Sequence, residues 1–433
     1  MSSQAPMRVV VLGGGFAGVH AAIELERAMP RGAEVDITIV NRDNFVLFTP
    51  MLHEVAASDL DVTHIVNPIR RMVRRAVLFV GEVEEIDLPG RRVLVRHAQG
   101  GHEHALEYDH LVLALGSVTN FFDLPGLEER ALTMKSLADA IALRNRLIEV
   151  LEEADFECAA VQRRVLLTIL VAGGGFAGVE TAAAANDFLR EAIAAYPRLS
   201  EDMVRLVLVH SGPTILPELD ARLGGYAAKA LARRGVDIRL GTRVTGVSEE
   251  GVSLSDGTSV PAQTVVWTAG TAPNPILADL PCRRQGGRIL ADEFLAVPDW
   301  PGVWALGDCA MVPNRKDGGF YPPTAQHALR QGRVLGRNIA AAFQGRALRP
   351  FVFSTLGQLA AIGRRTGVAN ILGVNFSGFL AWWLWRSIYL SKLPGLDRKV
   401  RVALDWTLDL LLQKDLVQLR AERAPGRQPV GAG

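Results

Sequence analysis

An α/β fold made of two repeated strand–turn–helix units, followed by an amphipathic helical region, is what this 433-residue sequence predicts. Three observations carry the prediction. The heptad Gly13-Gly14-Gly15-Phe16-Ala17-Gly18-Val19 recurs letter for letter at residues 173–179, an offset of 160. Each copy follows a short apolar run and opens a small-residue stretch that suits a helix. Past residue 346 the pattern changes to an aromatic cluster around Trp382, Trp383 and Trp385, then to a helix with one apolar face.

The chemistry of the heptad is that of a phosphate-binding turn. Gly13 and Gly173 can take the positive φ of a tight strand-to-helix turn. Gly15 and Gly175 leave the backbone bare for a pyrophosphate, and Gly18 and Gly178 let the helix pack close to the strand. The helix that follows offers free N–H groups and the positive end of its dipole. One such motif is weak evidence; two intact copies in the same context predict two Rossmann-like dinucleotide-binding domains. Two dinucleotides on one chain point to electron transfer between them.

Composition excludes several classes. A net charge of +1 gives no electrostatic case for nucleic acid. The three cysteines, Cys158, Cys282 and Cys309, form no close pair, so neither a disulfide scaffold nor a redox dithiol is expected. The first residues lack a charged segment before an apolar one, and no signal peptide is expected. His102, His104 and His110 lack zinc-site spacing and read as a solvated β-ribbon tip, so no metal is expected.

In chain order, residues 1–122 form the first part of one nucleotide domain. Residues 123–296 form the second domain with its linking helix, 297–345 return to the first, and 346–433 are the C-terminal region. The second strand of the first unit ends at Asn41-Arg42, where a Rossmann unit usually places a ribose-binding acid. Residues 44–56 have an apolar body and a proline break at Pro50, which suits a loop and helix start lining a pocket. Val83 lies on the first of two alternating strands around Pro89-Gly90. Gly116 follows the next strand, and Ser136 can cap the linking helix.

In the second unit the ribose position is His210, again without an acid, and no arginine stands beside it to recruit a 2′-phosphate. NADH is favoured over NADPH on that ground. Gly270 ends a strand that mirrors the one before Gly116. Asp308, after another apolar strand, has two open readings: a contact to a ribityl hydroxyl of a flavin, or a helix N-cap. Thr324 can cap a helix from Ala325 whose positive end would face the flavin ring. Glu180 follows the second turn, where a carboxylate favouring the helix N-terminus is one reading; beside a pyrophosphate its charge is repelled, so a role nearer the nicotinamide is the sharper reading.

Residues 366–385 carry no charge, yet their first half is rich in Asn and Gly. Their second half sets tryptophans beside Arg386 and Tyr389, which favours a membrane interface over a span. Leu396, Val400, Leu404 and Leu408 share one helical face. A core or dimer-interface helix pair is the competing reading.

These residues together resemble the type II NADH dehydrogenases, single-subunit flavoproteins of the two-dinucleotide-fold superfamily. The resemblance rests on both glycine turns, Leu47-Phe48-Thr49-Pro50-Met51-Leu52, Glu180, Thr268-Ala269-Gly270, Gly307-Asp308, Ala325-Gln326-His327-Ala328 and the aromatic C-terminus. It implies FAD in the first unit, contacted by Gly13, Gly15, Gly18, Asn41, Arg42, Thr49, Val83, Gly116, Asp308 and Ala325. It implies NADH in the second, contacted by Gly173, Gly175, Gly178 and Gly270, with Glu180 and Gln326 catalytic. A membrane quinone would meet Pro50, Leu52, Gln326 and Arg330. The family often has Gln or Glu where Arg330 stands, so Arg330 is a departure. The resemblance further implies electron transfer without proton pumping. It implies a homodimer and a bilayer surface bound through residues 376–412, at the cytoplasmic face of a bacterial inner membrane. Competing readings are an NADH-sensing flavoprotein that acts through partner binding and a soluble reductase of a protein electron carrier. Sulfide:quinone and disulfide reductases lack support, because their paired cysteines are absent.

Overall fold

The computed structural model describes residues 6–97 and 101–419. The absence of a signal peptide, expected from the first residues, concerns positions 1–5, which lie outside the described residues.

The first unit is built on β1 (Met7–Leu12), which leads through the glycine turn into α1 (Phe16–Ala28) and returns as β2 (Val35–Asn41). The stretch around Pro50 passes through a 3-10 turn, Thr49–Met51, into a short helix, α2 (Leu52–Ala56). Next come β3 (Val77–Asp87), β4 (Arg92–His97), β5 (Glu103–Glu107) and β6 (His110–Leu113). In the second unit, β7 (Ala131–Thr133) precedes the linking helix α3 (Leu137–Phe156), which Ser136 caps in a reciprocal box with Asp139. Then follow β8 (Thr168–Ala172), α4 (Phe176–Ala192), β9 (Arg205–Val209), β10 (Val236–Arg239) and β11 (Thr264–Trp267).

The chain then re-enters the first sheet as β12 (Val303–Ala305) and continues into α5 (Ala325–Phe343), whose N-cap is Thr324. The C-terminal region adds a meander of β13 (Gly357–Ala361), β14 (Gly367–Ile371) and β15 (Val374–Gly378). Two helices follow, α6 (Phe379–Lys392) and α7 (Leu396–Asp409).

The first sheet runs β12-β6-β1-β2-β3-β4-β5, parallel through β3 and antiparallel beyond it. The second runs β7-β11-β8-β9-β10, all parallel. In each, the strand feeding the glycine turn is central, so both turns open at the carboxyl edge of a doubly wound sheet. Two antiparallel segments, Ser117–Thr119 and Thr271–Pro273, tie the units together. Gly332 and Gly336 on α5 would drive a Cβ to 2.3 Å from the Ala17 carbonyl oxygen and 2.5 Å from that of Ala21. Glycine there lets α1 and α5 cross closely and brings both N-termini to one place.

The C-terminal region does not hang free. Its buried side chains, among them Leu359, Val368, Trp385 and Trp406, share one apolar core with α2, α3 and α4. α7 packs its mixed face inward. Trp406 donates its indole N–H to the buried Glu54 carboxylate at 3.1 and 3.2 Å, and Asp405 bonds His64 at 2.5 Å and the Asp61 N–H at 3.1 Å. Lys414 bridges Asp59 and Asp409. The apolar stripe points outward instead: Leu396, Val400, Leu404 and Leu408 are 50–77% exposed, joined by Phe379, Leu380 and Trp383 of α6. No helix of the described residues is long and apolar enough to cross a membrane.

Candidate active site

Both glycine turns use a device hidden in the sequence. Asn41 Oδ1 accepts the Gly14 N–H at 2.8 Å, and His210 Nδ1 accepts the Gly174 N–H at 3.1 Å. The residues at the two ribose positions therefore clamp the middle glycine of each turn. A Cβ at Gly14 or Gly174 would lie 2.7 Å from Asn41 Cγ or 2.5 Å from His210 Cγ, which explains why the middle position is also glycine. Asn41 Nδ2 donates back to the Asp43 carbonyl, so its amide is engaged at both ends. Gly13 has φ +107° and Gly173 +120°, as their turns require.

The third glycine of the turn differs between the copies. A Cβ on Gly15 would meet nothing within 4 Å, whereas one on Gly175 would lie 3.5 Å from Glu218 Oε1. Neither α1 nor α4 has a capping side chain, so their first N–H groups remain open to an anion. An open groove at Gly15 with uncapped helix N–H groups behind it fits the pyrophosphate of a dinucleotide.

A cavity of about 1130 Å³ joins the two units and the C-terminal region. This exceeds the ~300–1,000 Å³ of a typical single-ligand pocket. Its walls include Gly15, Thr49, Pro50, Leu52 and Gly116 from the first unit, and Glu180 and Gly270 from the second. Asp308 and the start of α5 (Ala325, Gln326, Arg330) close it on one side, and Tyr389 and Lys392 of α6 on another. Asn41, Arg42 and Val83 lie outside these walls. Gly13, Gly18, Gly173 and Gly178 shape the turns from behind, and Gly175 also lies off the cavity.

Asp308 resolves one of the open alternatives. No helix starts at Cys309: Gly307–Cys309 is a single 3-10 turn with Asp308 at its centre, so the N-cap reading is corrected. Asp308 Oδ2 instead accepts from Ser117 Oγ at 3.1 Å, and Lys135 Nζ donates to the same hydroxyl at 3.0 Å. Burial lowers the proton affinity of Lys135, and Asp308 opposes that shift. Sequence reasoning missed Lys135; its only signal was a lysine one residue before a helix cap.

Glu180 is 8% exposed. Its Oε1 accepts the Ala361 N–H and the Trp385 indole N–H, both at 3.0 Å, and Oε2 lies 3.8 Å from His53 Nδ1. Burial raises its pKa to about 8, against the pull of those two donors. Burial also pushes His53 down to about 3, so the pair is a neutral acid facing a neutral imidazole at pH 7. Glu54, one residue on, is likewise raised to about 8 by burial, with Arg386 opposing at 3.9 Å. Arg386 is stacked between Trp382 and Trp406, 4.3 and 4.7 Å from their ring centres.

Gln326 donates Nε2 to the Gly357 carbonyl at 2.9 Å, and its buried Oε1 has no partner among the described residues. Arg330 lies over the Phe353 ring at 4.1 Å and donates Nη1 to the Gln326 carbonyl at 3.0 Å.

Comparison with known proteins matches this layout. Residues 7–332 fit the pyridine nucleotide-disulphide oxidoreductase family, and residues 356–415 fit the NDH2 C-terminal domain. The type II NADH:quinone oxidoreductase Ndh of Mycobacterium tuberculosis is 33% identical over 93% of this chain and 88% of that protein. This chain belongs to the type II NADH:quinone oxidoreductase family. A probable NADH dehydrogenase of Dictyostelium discoideum is 31% identical over 88% of the chain and 85% of that protein. The fold agrees with the structure of NDH2 from Plasmodium falciparum in complex with NADH. The TM-score is 0.88 at 17% identity, covering 95% of this chain and 99% of that one. Reduced Bacillus anthracis CoADR-RHD reaches only 0.67, over 84% of this chain and 61% of that one. The family resemblance read from the sequence is borne out.

Proposed function

We propose that the first unit carries FAD, that the second binds NADH, and that electrons pass through their shared cavity to a membrane quinone. Family membership makes the overall reaction NADH:quinone oxidoreduction. The carrying observation is that one cavity is walled by the first glycine turn, the second-unit helix α4, Asp308, the N-terminus of α5 and the end of α6.

FAD, when bound, supplies the two-electron chemistry. The chain's own groups bind and orient. The open groove at Gly15 and the free N–H groups of α1 suit the pyrophosphate. Asp308, fixed by Ser117 through Oδ2, has Oδ1 without a partner among the described residues, open to a ribityl hydroxyl. The positive end of α5 favours negative charge where its N-terminus meets the cavity. In the second unit the clamp by His210 holds the turn for NADH, and Gly270 borders the nicotinamide end. Glu180, kept neutral, holds a proton at the cavity wall without repelling the nucleotide. Pro50, Leu52, Gln326 and Arg330 form the quinone side. The outward apolar faces of α6 and α7 support one-leaflet attachment through residues 376–412, at the cytoplasmic face of a bacterial membrane. A homodimer completes this reading, and sedimentation velocity tests it.

Anaerobic mixing of the flavin-loaded protein with NADH, followed by a soluble quinone, tests the function. Bleaching of the flavin by NADH and recovery on quinone addition are expected. Flavin that NADH reduces but no quinone reoxidises would defeat the quinone assignment.

A further inference from the structure

The quinone side of the cavity carries an unbalanced positive charge. Arg330 is held in one plane by Phe353 and by its bond to the Gln326 carbonyl. Its other N–H groups have no hydrogen-bond partner among the described residues. Lys392, at the end of α6, lines the same cavity, with Nζ 5.6 Å from the Tyr389 ring centre. Arg333 stands one turn beyond Arg330 on α5 and also lines it. Among the described residues, no carboxylate oxygen lies within 4 Å of these three cations.

The acids in the same wall are otherwise engaged. Asp308 takes the Ser117 hydroxyl, Asp317 accepts from Asn314 Nδ2 and the Gly319 N–H, and Glu180 is held neutral by burial. The electrostatics agree with the geometry. Burial and then Arg333 lower the proton affinity of Arg330; burial and then Arg330 lower that of Lys392. Like charges gathered in a partly desolvated wall are unfavourable alone and become favourable when an anion arrives.

We propose that Arg330 and Lys392 form a subsite for the negative charge that a quinone oxygen acquires on reduction, so that this cavity binds quinoid anions in preference to their neutral analogues. The proposal rests on the quinone assignment and deepens it. Two electrons and one proton convert a quinone to the hydroquinone monoanion, and a second proton completes the hydroquinone. NADH supplies the two electrons and, as part of its hydride, one proton; the other proton comes from solvent. Until it arrives, the charge sits on oxygen. Gln326 offers an unpartnered Oε1 to the O–H of that species, and Arg330, one turn along α5, offers N–H donors to its O⁻. The two side chains therefore complement the monoanion better than the neutral quinone, which has no O–H to give.

The test compares two nearly isosteric probes on the oxidised, flavin-loaded full chain. 2-Hydroxy-1,4-naphthoquinone is an anion at neutral pH; its methyl ether is neutral. Binding is read from flavin absorbance and tryptophan fluorescence. The wild-type protein should bind the anion about tenfold or more tightly than the ether, with the ratio falling as salt is added. Arg330→Gln and Lys392→Gln should each bring the ratio toward one, and Arg330→Lys should restore part of it. Lys392→Gln alters an exposed side chain, so it still decides if Arg330→Gln folds poorly. A wild-type ratio near one, or a ratio unchanged in both Gln variants, overturns the subsite. Turnover of the neutral ether with NADH is measured alongside: reduction of the ether without anion preference removes the subsite and leaves the function standing.

Discussion

Replacing Glu180 with glutamine should separate the stability of this buried acid from its chemistry. In the unfolded chain the carboxyl titrates near its usual 4.5, and in the folded protein burial raises it to about 8. Below the unfolded value both states are protonated and the group has no effect on the balance. As pH rises from the unfolded value toward the folded one, the unfolded chain sheds the proton while the folded protein keeps it. Stability therefore falls across that window and is flat above it. At ~1.4 kcal/mol for each tenfold change in proton affinity, the full loss has a ceiling of ~5 kcal/mol, of which ~3 kcal/mol has gone by neutral pH. Glutamine does not titrate, and its Oε1 can accept the same bonds from Ala361 and Trp385. Glu54 is raised as well but is present in both proteins, so the comparison isolates Glu180. Urea denaturation of the flavin-loaded proteins from about pH 5 to about pH 8.5 should show the variant gaining several kcal/mol over wild type as pH rises. In stopped flow the variant should be reduced by NADH more slowly, with quinone reoxidation less affected. Stability curves that stay parallel within ~0.5 kcal/mol across this range would show that Glu180 ionises normally, and the buried-acid reasoning would be wrong.

His210→Ala removes the acceptor of the Gly174 N–H and should weaken NADH binding about tenfold, while His210→Asn, copying the Asn41 clamp, should restore it; KM for NADH is the readout. Gly15→Ala should leave a folded protein without bound flavin by absorbance, since the added Cβ meets only the open groove, whereas Gly18→Ala forces a Cβ to 1.9 Å from the Gly13 carbonyl oxygen and should lose the fold by circular dichroism. Leu404→Glu with Leu408→Glu should abolish sedimentation with lipid vesicles yet leave flavin reduction by NADH unchanged. Trp406→Phe leaves Glu54 without its indole donor and should cost ~1–3 kcal/mol, with α7 more open to protease.

Local chemistry was legible in the sequence, and long-range partners were not. The glycine turns, the caps at Ser136 and Thr324 and the stripe of α7 each follow from residues a few positions apart. The ribose positions show the limit. The sequence identifies which residue ends each strand, but only the fold shows Asn41 and His210 bent back onto a glycine N–H. Asp308 met a local rule for a cap, and the chain then makes only one 3-10 turn there. The environment of Glu180 is assembled from residues near 53, 361 and 385, which no spacing in one chain segment reveals. For α7, periodicity gives the face but not its direction. A stripe of leucines faces the core in most helices, and here the opposite face is fixed inward by Asp405, Trp406 and Asp409.

That reversal bears on how the proposed reaction is arranged. The inward bonds of α7 go to Glu54, Asp61 and His64, and Lys414 just past it bonds Asp59, all in the stretch that continues directly from Pro50 and Leu52 at the cavity wall. α6 reaches Glu180 through Trp385 and ends at Lys392, which lines the cavity itself. The same two helices therefore present leucines to the outside and hold two walls of the site on the inside. In the proposed arrangement an apolar quinone held at the outward face would be taken up at the part of the cavity wall that Arg330, Lys392 and Gln326 line. The identical heptads carry no such asymmetry. It comes from what surrounds them: Asp308 and α5 beside the first, Glu180 and Glu218 beside the second, and a C-terminal region in contact with both units. Under the proposed assignment the third region sets the direction of electron flow as much as the two nucleotide folds do, and detaching α7 while keeping both turns intact should slow reoxidation by quinone more than reduction by NADH.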